Sequence, residues 1–421
     1  MLRLLRKPSN IQTIYLYLIL GNTLATSFIW GINTIFLLDA GLSNFEAFLA
    51  NGFFSLGYVI FEIPTGIVAD TYGRRISYLL GALTLAVSTA LYLYMWQIQG
   101  PFWGWAASSV LLGLGYTFFS GATEAWLVDA LHATNFKGHL EGVFAKGQIV
   151  GGTAMLAGAI SGGVIAQVTN LGVPYILRSV VLLINFATAF VLMQDLGFSP
   201  KKTKQPFLEM KKIFSRSIDH GLRNPPVRYI MFTAPFATGV SFYIFYALQP
   251  FLLQLYGDKE AYAIAGIIAA LTGLSQIAGG IAASRIRRLF KKRTSALILG
   301  TFLTGLILIL VAFANNFWLV IGLIFLWGLL FAALMPIRQA YLNGLIPSEQ
   351  RATVLSFDTL LGSSGGVVIQ PALGKTADIY GYPISYGISS VFQLAALPFI
   401  YLARRQNPKS DPIEEKSIEN S

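Results

Sequence analysis

Twelve stretches of this chain are each about twenty or more predominantly apolar residues long, and that property leaves few folds open. A helix rises about 1.5 Å per residue, so about twenty residues cross the ~30 Å hydrocarbon layer of a bilayer. In that layer every backbone N–H and C=O needs an internal partner, which a helix supplies by itself. The stretches, numbered spans 1 to 12, run over roughly 12–38, 44–69, 76–97, 102–129, 142–168, 174–194, 229–256, 260–283, 295–314, 316–345, 352–376 and 383–403. An all-α integral membrane protein with twelve transmembrane helices is therefore expected. Charged residues make up only 12% of the chain, against about one quarter in a soluble domain.

The net charge of +11 raises nucleic acid as a partner, but the placement of the charge excludes it. With the N-terminus taken as cytoplasmic, Lys and Arg gather in Arg3–Lys7, Arg74–Arg75, Lys201–Arg228, Arg285–Arg293 and Arg404–Lys416. Only Arg178, Lys259 and Lys375 fall towards the far side. That is the positive-inside bias, and it predicts a multi-pass protein of the cytoplasmic membrane with both termini inside. The basic N-terminus leads into an apolar run without a small-residue cleavage site, so it reads as a retained first span.

The longest polar stretch, 197–228, divides the spans six and six. The expected organisation is an N-terminal six-helix bundle over 1–198, a cytoplasmic linker over 199–228 with a short surface helix at 207–218, a C-terminal bundle over 229–405, and a disordered cytoplasmic tail over 406–421. An internal repeat supports the split. At an offset of about 214, Ser27-Phe28 falls on Ser241-Phe242, Gly66 on Gly280, Arg74 on Arg288, and Gly151-Gly152 on Gly365-Gly366. Glu124-Ala125-Trp126-Leu127 falls on Gln339-Ala340-Tyr341-Leu342 one residue further on. Matches at one offset in equivalent spans indicate a duplicated, pseudo-symmetric six-helix unit.

Ionisable groups inside a membrane are costly and mark function. Spans 3, 6, 9 and 12 read as uncharged in their interiors and lipid-facing. Spans 2, 4, 5, 10 and 11 carry Glu62, Glu124, Lys146, Arg338 and Asp358. The last four stand at similar depths, roughly 10 Å from the cytoplasmic side by helical rise. Two ion pairs are expected, Glu124–Lys146 and Arg338–Asp358, serving as static register pins or as gates that exchange partners. Glu62 opens Glu62-Ile63-Pro64-Thr65-Gly66, where Pro64 removes a helical donor and predicts a kink. Its carboxyl is a candidate proton carrier or a structural partner, and Glu62, Glu124 and Asp358 are together the proton-coupling candidates. Polar and aromatic stripes recur on span 1 (Asn22, Thr26, Trp30, Asn33) and span 7 (Thr238, Phe242, Phe245, Gln249). Such stripes line a substrate cavity or make interhelical contacts.

The turn after span 2 reads Gly66-Ile67-Val68-Ala69-Asp70-Thr71-Tyr72-Gly73-Arg74-Arg75. Gly66 allows close helix approach, Asp70 can accept from donors at a helix N-terminus, Gly73 permits a tight reversal, and the two arginines are expected to reach Asp129. This segment resembles the G-x-x-x-D-x-x-G-R-R/K loop signature of the major facilitator superfamily. With twelve spans, a central basic loop and the two-fold repeat, the resemblance covers nearly the whole chain. The second copy, Gly280 to Arg288, has Ser284 in place of the acid.

The resemblance implies two six-helix bundles rocking about a central site. Glu62-Ile63-Pro64-Thr65-Gly66 with Gly121-Ala122-Thr123-Glu124-Ala125-Trp126-Leu127-Val128-Asp129 is similar to bacterial drug and metabolite exporters. The R-x-x-Q-G of proton-driven members is replaced at its first and fourth places by Ser109 and Leu112, and their G-P-x-x-G-G by Gly158-Ala159-Ile160-Ser161-Gly162-Gly163. The expected function is secondary active transport, as proton-coupled export of a small amphipathic or hydrophobic solute. Import by symport or facilitated diffusion, and a non-transporting sensor, are the alternatives. No cysteine, no intramembrane histidine (His132, His139 and His220 fall in loops) and no G-x-x-x-x-G-K-S/T loop point away from an enzyme or an ATP-driven pump. A monomer with no cofactor or metal is expected, its partners a small solute, protons and the bilayer.

Overall fold

The computed structural model describes residues 7–200, 221–346 and 351–413. Among them the chain is helical apart from turns and one isolated β-bridge between Lys292 and Pro412. The helices are α1 (Pro8–Ser27), α2 (Asn33–Asp39), α3 (Asn44–Tyr72), α4 (Arg74–Ile98), α5 (Phe102–Phe119), α6 (Ala122–Ala133), α7 (Leu140–Val168) and α8 (Gly172–Leu192). They continue as α9 (Pro225–Met231), α10 (Ala234–Tyr256), α11 (Tyr262–Arg288), α12 (Arg293–Phe313), α13 (Phe317–Asn343), α14 (Arg351–Leu394) and α15 (Leu397–Arg405).

Local chemistry sets the ends. Pro8 opens α1, where its missing N–H costs nothing. Ser43 and Glu46 close a capping box at α3: the Ser43 backbone N–H donates to Glu46 Oε2 at 2.9 Å, and the Glu46 N–H donates to Ser43 Oγ at 3.2 Å.

Nine helical stretches among the described residues are long and apolar enough to cross a membrane. The last, Val354–Arg405, runs 52 residues and holds two spans, separated at Gly381, whose φ of 81° breaks the helix. Spans 1 and 4 are each built from two shorter helices, α1 with α2 and α5 with α6, which completes twelve. Span 4 is interrupted at Ser120–Gly121, where Gly121 is left-handed at φ 67°. Span 7 is interrupted at Phe232–Thr233, between α9 and α10.

The chain divides into two compact units, Met1–Met210 with Leu248–Ala270, and Lys211–Ala247 with Leu271–Ser421. In the first, the hairpin between spans 7 and 8 joins the helices of the N-terminal half because α7 and α11 meet backbone to backbone. A Cβ on Gly163 would lie 2.9 Å from the Cα of Gly266, and one on Gly266 would lie 3.1 Å from the Cα of Gly163. This unit's core gathers Phe36, Trp105 and Tyr175 with Leu253 and Ala265 in one cluster, and Leu18, Tyr78, Trp126 and Leu182 in another. The second unit's core includes Val227, Met231, Ile337, Tyr341 and Ile400.

The linker segment 201–220, with the surface helix expected at 207–218, lies outside the described residues. The tail expected to be disordered from 406 is instead packed as far as it is described. Ser410 and Asp411 are buried, and Ile413 donates its N–H to the Lys291 carbonyl at 3.0 Å. Residues 414–421 lie outside the described set.

Candidate functional site

Three polar constellations stand out among the described residues, one of them half-exposed at a break in a span and two set in the unit interiors. The first is built at the interruption of span 4. Ser120, at the end of α5, donates its hydroxyl to Glu62 Oε1 at 2.7 Å. Glu62 Oε2 is buried without a hydrogen-bond partner. Tyr58, one turn earlier on α3, faces the same carboxyl. Two residues beyond Glu62, Pro64 lies inside α3, which continues as one helix to Tyr72, so the carboxyl sits where α3 lacks one N–H donor and span 4 is interrupted.

The second centres on Arg178 of α8, which is 1% exposed. Its Nε donates to the Thr89 hydroxyl at 3.0 Å, and its Nη1 and Nη2 both reach the Tyr116 hydroxyl at 3.4 Å. Tyr116 donates in turn to Thr26 Oγ1 at 3.1 Å, and Thr26 donates to the Asn22 carbonyl at 2.9 Å. Tyr92 is bonded to Ser109 at 2.6 Å beside this group. No carboxylate of the described residues pairs with Arg178, although burying an ion costs several kcal/mol. Span 6 was expected to be uncharged inside. Arg178 lies only six residues after Gly172, so positive-inside counting assigned it to the far surface, whereas its long side chain turns inward.

The third lies in the second unit. Arg338 binds Asp358 through both nitrogens, Nη1 to Oδ2 at 2.6 Å and Nη2 to Oδ1 at 2.7 Å. Nη2 also donates to the Ile230 carbonyl at 3.1 Å, and Nε reaches the Thr233 hydroxyl at 3.4 Å. At the interruption of span 7 the same carbonyl also accepts the Thr233 N–H at 3.1 Å and its hydroxyl at 2.6 Å, so the guanidinium shares it. Asp358 is buried.

The other expected pair is absent: Glu124 and Lys146 are both exposed and not bonded to each other. The break at Gly121 puts Glu124 in the first turn of α6, on a separate segment from α5. The stripe residues also divide. Asn22, Thr26 and Trp30 are half-buried. Asn33 is buried and held in the first unit's interior, donating to Asn51 Oδ1 at 3.2 Å and accepting from the Tyr175 hydroxyl at 3.2 Å. On span 7, Thr238, Phe242 and Phe245 are half-buried, and Gln249 is buried.

At the loop motif the expected contact with Asp129 gives way to Asp195. Arg74 pairs with Asp70 at 2.6 Å, one turn back on its own strand of sequence. Arg75 donates its guanidinium to the Phe190 carbonyl and lies 5.2 Å from the Phe190 ring centre. Its backbone N–H donates to Asp195 Oδ1 at 2.9 Å. Gly73 has φ 115°, and a Cβ there would collide with the Asp195 carboxyl. The segment carrying Asp195 lies over Asp129, since Gly197 abuts the Asp129 carbonyl, and Trp126 donates to the Gln194 carbonyl at 2.7 Å. Burial pushes the Asp195 carboxyl above its usual range, against the lowering effect of the Arg75 N–H and of the two arginine charges. Gly66 makes no close approach: a Cβ there would meet no atom within 4 Å.

The second unit repeats this device. Asp411 accepts from the second residue of α12, just as Asp195 accepts from the second residue of α4. Tyr341, the repeat partner of Trp126, donates to the Ala403 carbonyl near the end of its own sixth span at 3.4 Å. Sequence reading missed both acids because each lies in a polar segment after a span, where nothing distinguishes a cap from a solvated charge.

A sequence model of the Major Facilitator Superfamily matches residues 16–298 and again 236–420. Among curated proteins, an uncharacterised MFS-type transporter of Methanocaldococcus jannaschii is 21% identical, covering 90% of this chain and 94% of its own. The multidrug resistance protein MdtG of Dickeya zeae is 26% identical, covering 88% of this chain and 87% of its own. MdtG of Salmonella typhimurium is 27% identical, covering 82% and 80%. The nucleoside transporter NupG superposes with a TM-score of 0.76 at 12% identity, covering 93% of this chain and 99% of its own. A bacterial homologue of the human lysosomal transporter Spinster superposes with 0.73 at 15%, covering 97% and 99%. At such identities the structural likeness establishes the fold alone.

Proposed function

The chain belongs to the major facilitator superfamily, and we propose that within it the protein is a proton-coupled exporter of a small amphipathic or hydrophobic solute. Membership makes it a multi-pass membrane transport protein rather than an enzyme. In this reading bundles 1–198 and 229–405 alternate access to a shared site, the linker at 199–228 and both termini face the cytoplasm, and the membrane is the cytoplasmic one.

The observation that carries proton coupling is the half-buried Glu62 carboxyl, one oxygen bonded to Ser120 and the other buried, with the Tyr58 hydroxyl beside the group. Such a group can take up a proton and give it back. The other coupling candidates fit less well. Asp358 has both oxygens engaged by Arg338, and Glu124 is exposed. Because Ser120 adjoins Gly121, a proton on Glu62 acts directly on the joint of span 4. Export as the direction is supported by the MdtG relatives, which are named multidrug resistance proteins.

A second reading, import by symport or facilitated diffusion, is favoured by Ser109. It stands where proton-driven exporters resembling this chain carry arginine, and it is bonded to Tyr92.

A thermal-shift screen of the purified protein against drug-like and metabolite libraries identifies a solute. Flux of that solute is then followed in vesicles under an imposed pH gradient, for the wild type and for Glu62→Gln, Glu124→Gln and Asp358→Asn. Export by antiport predicts proton-driven movement of the solute towards the acidic side, against the flow of protons, lost in Glu62→Gln. Coupling unchanged in all three variants ends the proton reading, and co-directional movement with protons selects the importer.

A further inference from the structure

Arg178 is a cation held in the interior of the first unit by neutral oxygens only. Its five N–H donors meet two acceptors, Thr89 Oγ1 at 3.0 Å and the Tyr116 hydroxyl at 3.4 Å. A guanidinium is shaped for the two oxygens of a carboxylate. Arg338 in the second unit shows that arrangement satisfied, with Asp358 supplying both oxygens at 2.6 and 2.7 Å. In the first unit no described residue supplies them.

The charge is relayed towards less buried groups. Because the guanidinium donates to the Tyr116 oxygen, the phenol's own proton is polarised and becomes a stronger donor. Tyr116 is half-buried and now gives that proton to Thr26, which is also half-buried and on the span 1 stripe. One turn back, Asn22 Oδ1 is buried with no hydrogen-bond partner. Turned end for end, that amide would present its two N–H donors instead. Apolar surface adjoins the same spot. Phe54 stands edge-on to the Tyr116 ring at 5.7 Å between centres.

We propose that Arg178, acting through Tyr116, with Thr26 and Asn22, forms the recognition site for the anionic head of the transported solute, a carboxylate on an aromatic or aliphatic body. The carboxylate accepts the Tyr116 O–H hydrogen bond in place of Thr26 and sets its charge against Arg178, while the body lies on Phe54. The assignment rests on the transport reading and narrows its amphipathic solute to an organic acid. Glu62 belongs to the same seam: Ser120, its partner, is one helical turn from Tyr116 on α5, a rise of about 6 Å. Anion and proton would thus be bound on neighbouring turns.

The test uses the full chain purified in detergent and three matched probes, 2-naphthoate, 2-naphthalenemethanol and 2-naphthylmethylamine. Binding is measured by equilibrium dialysis, with the apo melting curve recorded for every variant. The wild type should bind the carboxylate at least tenfold more tightly than the alcohol, with the amine weakest. Arg178→Met should bring the carboxylate to within about twofold of the alcohol, and Arg178→Lys should retain part of the preference. Tyr116→Phe, which removes one hydroxyl, should weaken the carboxylate several-fold and leave the alcohol unchanged. Where Arg178→Met gives no cooperative melt, Tyr116→Phe decides. Equal binding of the three probes, preference for the amine, no binding of the carboxylate, or an unchanged carboxylate preference in Tyr116→Phe or in a folded Arg178→Met overturns the assignment. Flux of a screened neutral or cationic solute in vesicles alongside any of these results would leave the transport reading standing.

Discussion

Asp411 holds Thr294 by two bonds, accepting its backbone N–H at Oδ1 over 2.8 Å and its hydroxyl at Oδ2 over 2.9 Å. The carboxylate therefore caps α12, where helix N–H groups lack partners and the helix dipole favours negative charge. Replacing Asp411 with Ala should lower stability by about 0.5–2 kcal/mol. A chain ended after Gln406 should lose at least as much, because the Lys291 and Arg293 contacts go with it. Thermal melts of the purified proteins check both, and a truncated chain as stable as the full one would contradict the cap.

Asp195 predicts a pH dependence of the opposite sense from an ordinary salt-bridged acid. Its folded pKa is raised by burial, so the folded state binds its proton more readily than the unfolded state does. The contribution of this group is most favourable at low pH and is lost as pH rises through the folded pKa. Asp195→Asn keeps an oxygen for the Arg75 N–H and removes the charge. It should match or exceed the wild type in stability at pH 7 and flatten the acid side of the profile. Melting temperatures across pH 4 to 8 test the sign, and a clear loss of stability in Asp195→Asn at pH 7 would reverse it.

Breaking the Arg338–Asp358 pair should be severe. Asp358→Asn or Arg338→Met leaves one buried ion alone, at a cost of about 3–5 kcal/mol. The double variant Arg338→Met/Asp358→Leu removes both charges and should recover much of the loss. A double-mutant cycle on thermal stability measures the coupling, and additive single effects would show that the two side chains do not act as a pair.

The crossing of α7 and α11 tolerates no side chain. Gly163→Val or Gly266→Val forces the helices apart, with an expected loss of about 1–3 kcal/mol. Gly66→Ala is the matched control, since nothing lies within 4 Å of its Cβ position, and it should be neutral or slightly stabilising. Equal melting temperatures for Gly163→Val and Gly66→Ala would refute the close approach.

The fold was legible because hydrophobic length reports on the bilayer rather than on particular neighbours. Arg338 and Asp358 were legible as a pair because each is a lone opposite charge at a matching depth. Glu124 and Lys146 met the same criterion and do not pair, since depth counting assumes a continuous helix and Gly121 interrupts span 4. Arg178 escaped because counting from a span end gives the depth of the Cα, whereas a guanidinium reaches several ångströms further. Asp195 and Asp411 escaped because capping is a tertiary contact here: each acid lies over a hundred residues from the helix it closes.

The joint at Ser120–Gly121 makes span 4 a two-piece lever. α5 is the long arm, anchored in the first unit's interior through Tyr116 and Tyr92, while α6 is a short arm carrying Glu124 and Asp129. A Cβ at Gly121 would touch nothing, so no atom blocks the joint itself, and α6 is held by its own packing, Trp126 in the core and bonded to the Gln194 carbonyl. The direction in which Glu124 and Asp129 point is thus set by how α6 packs and not by the course of α5.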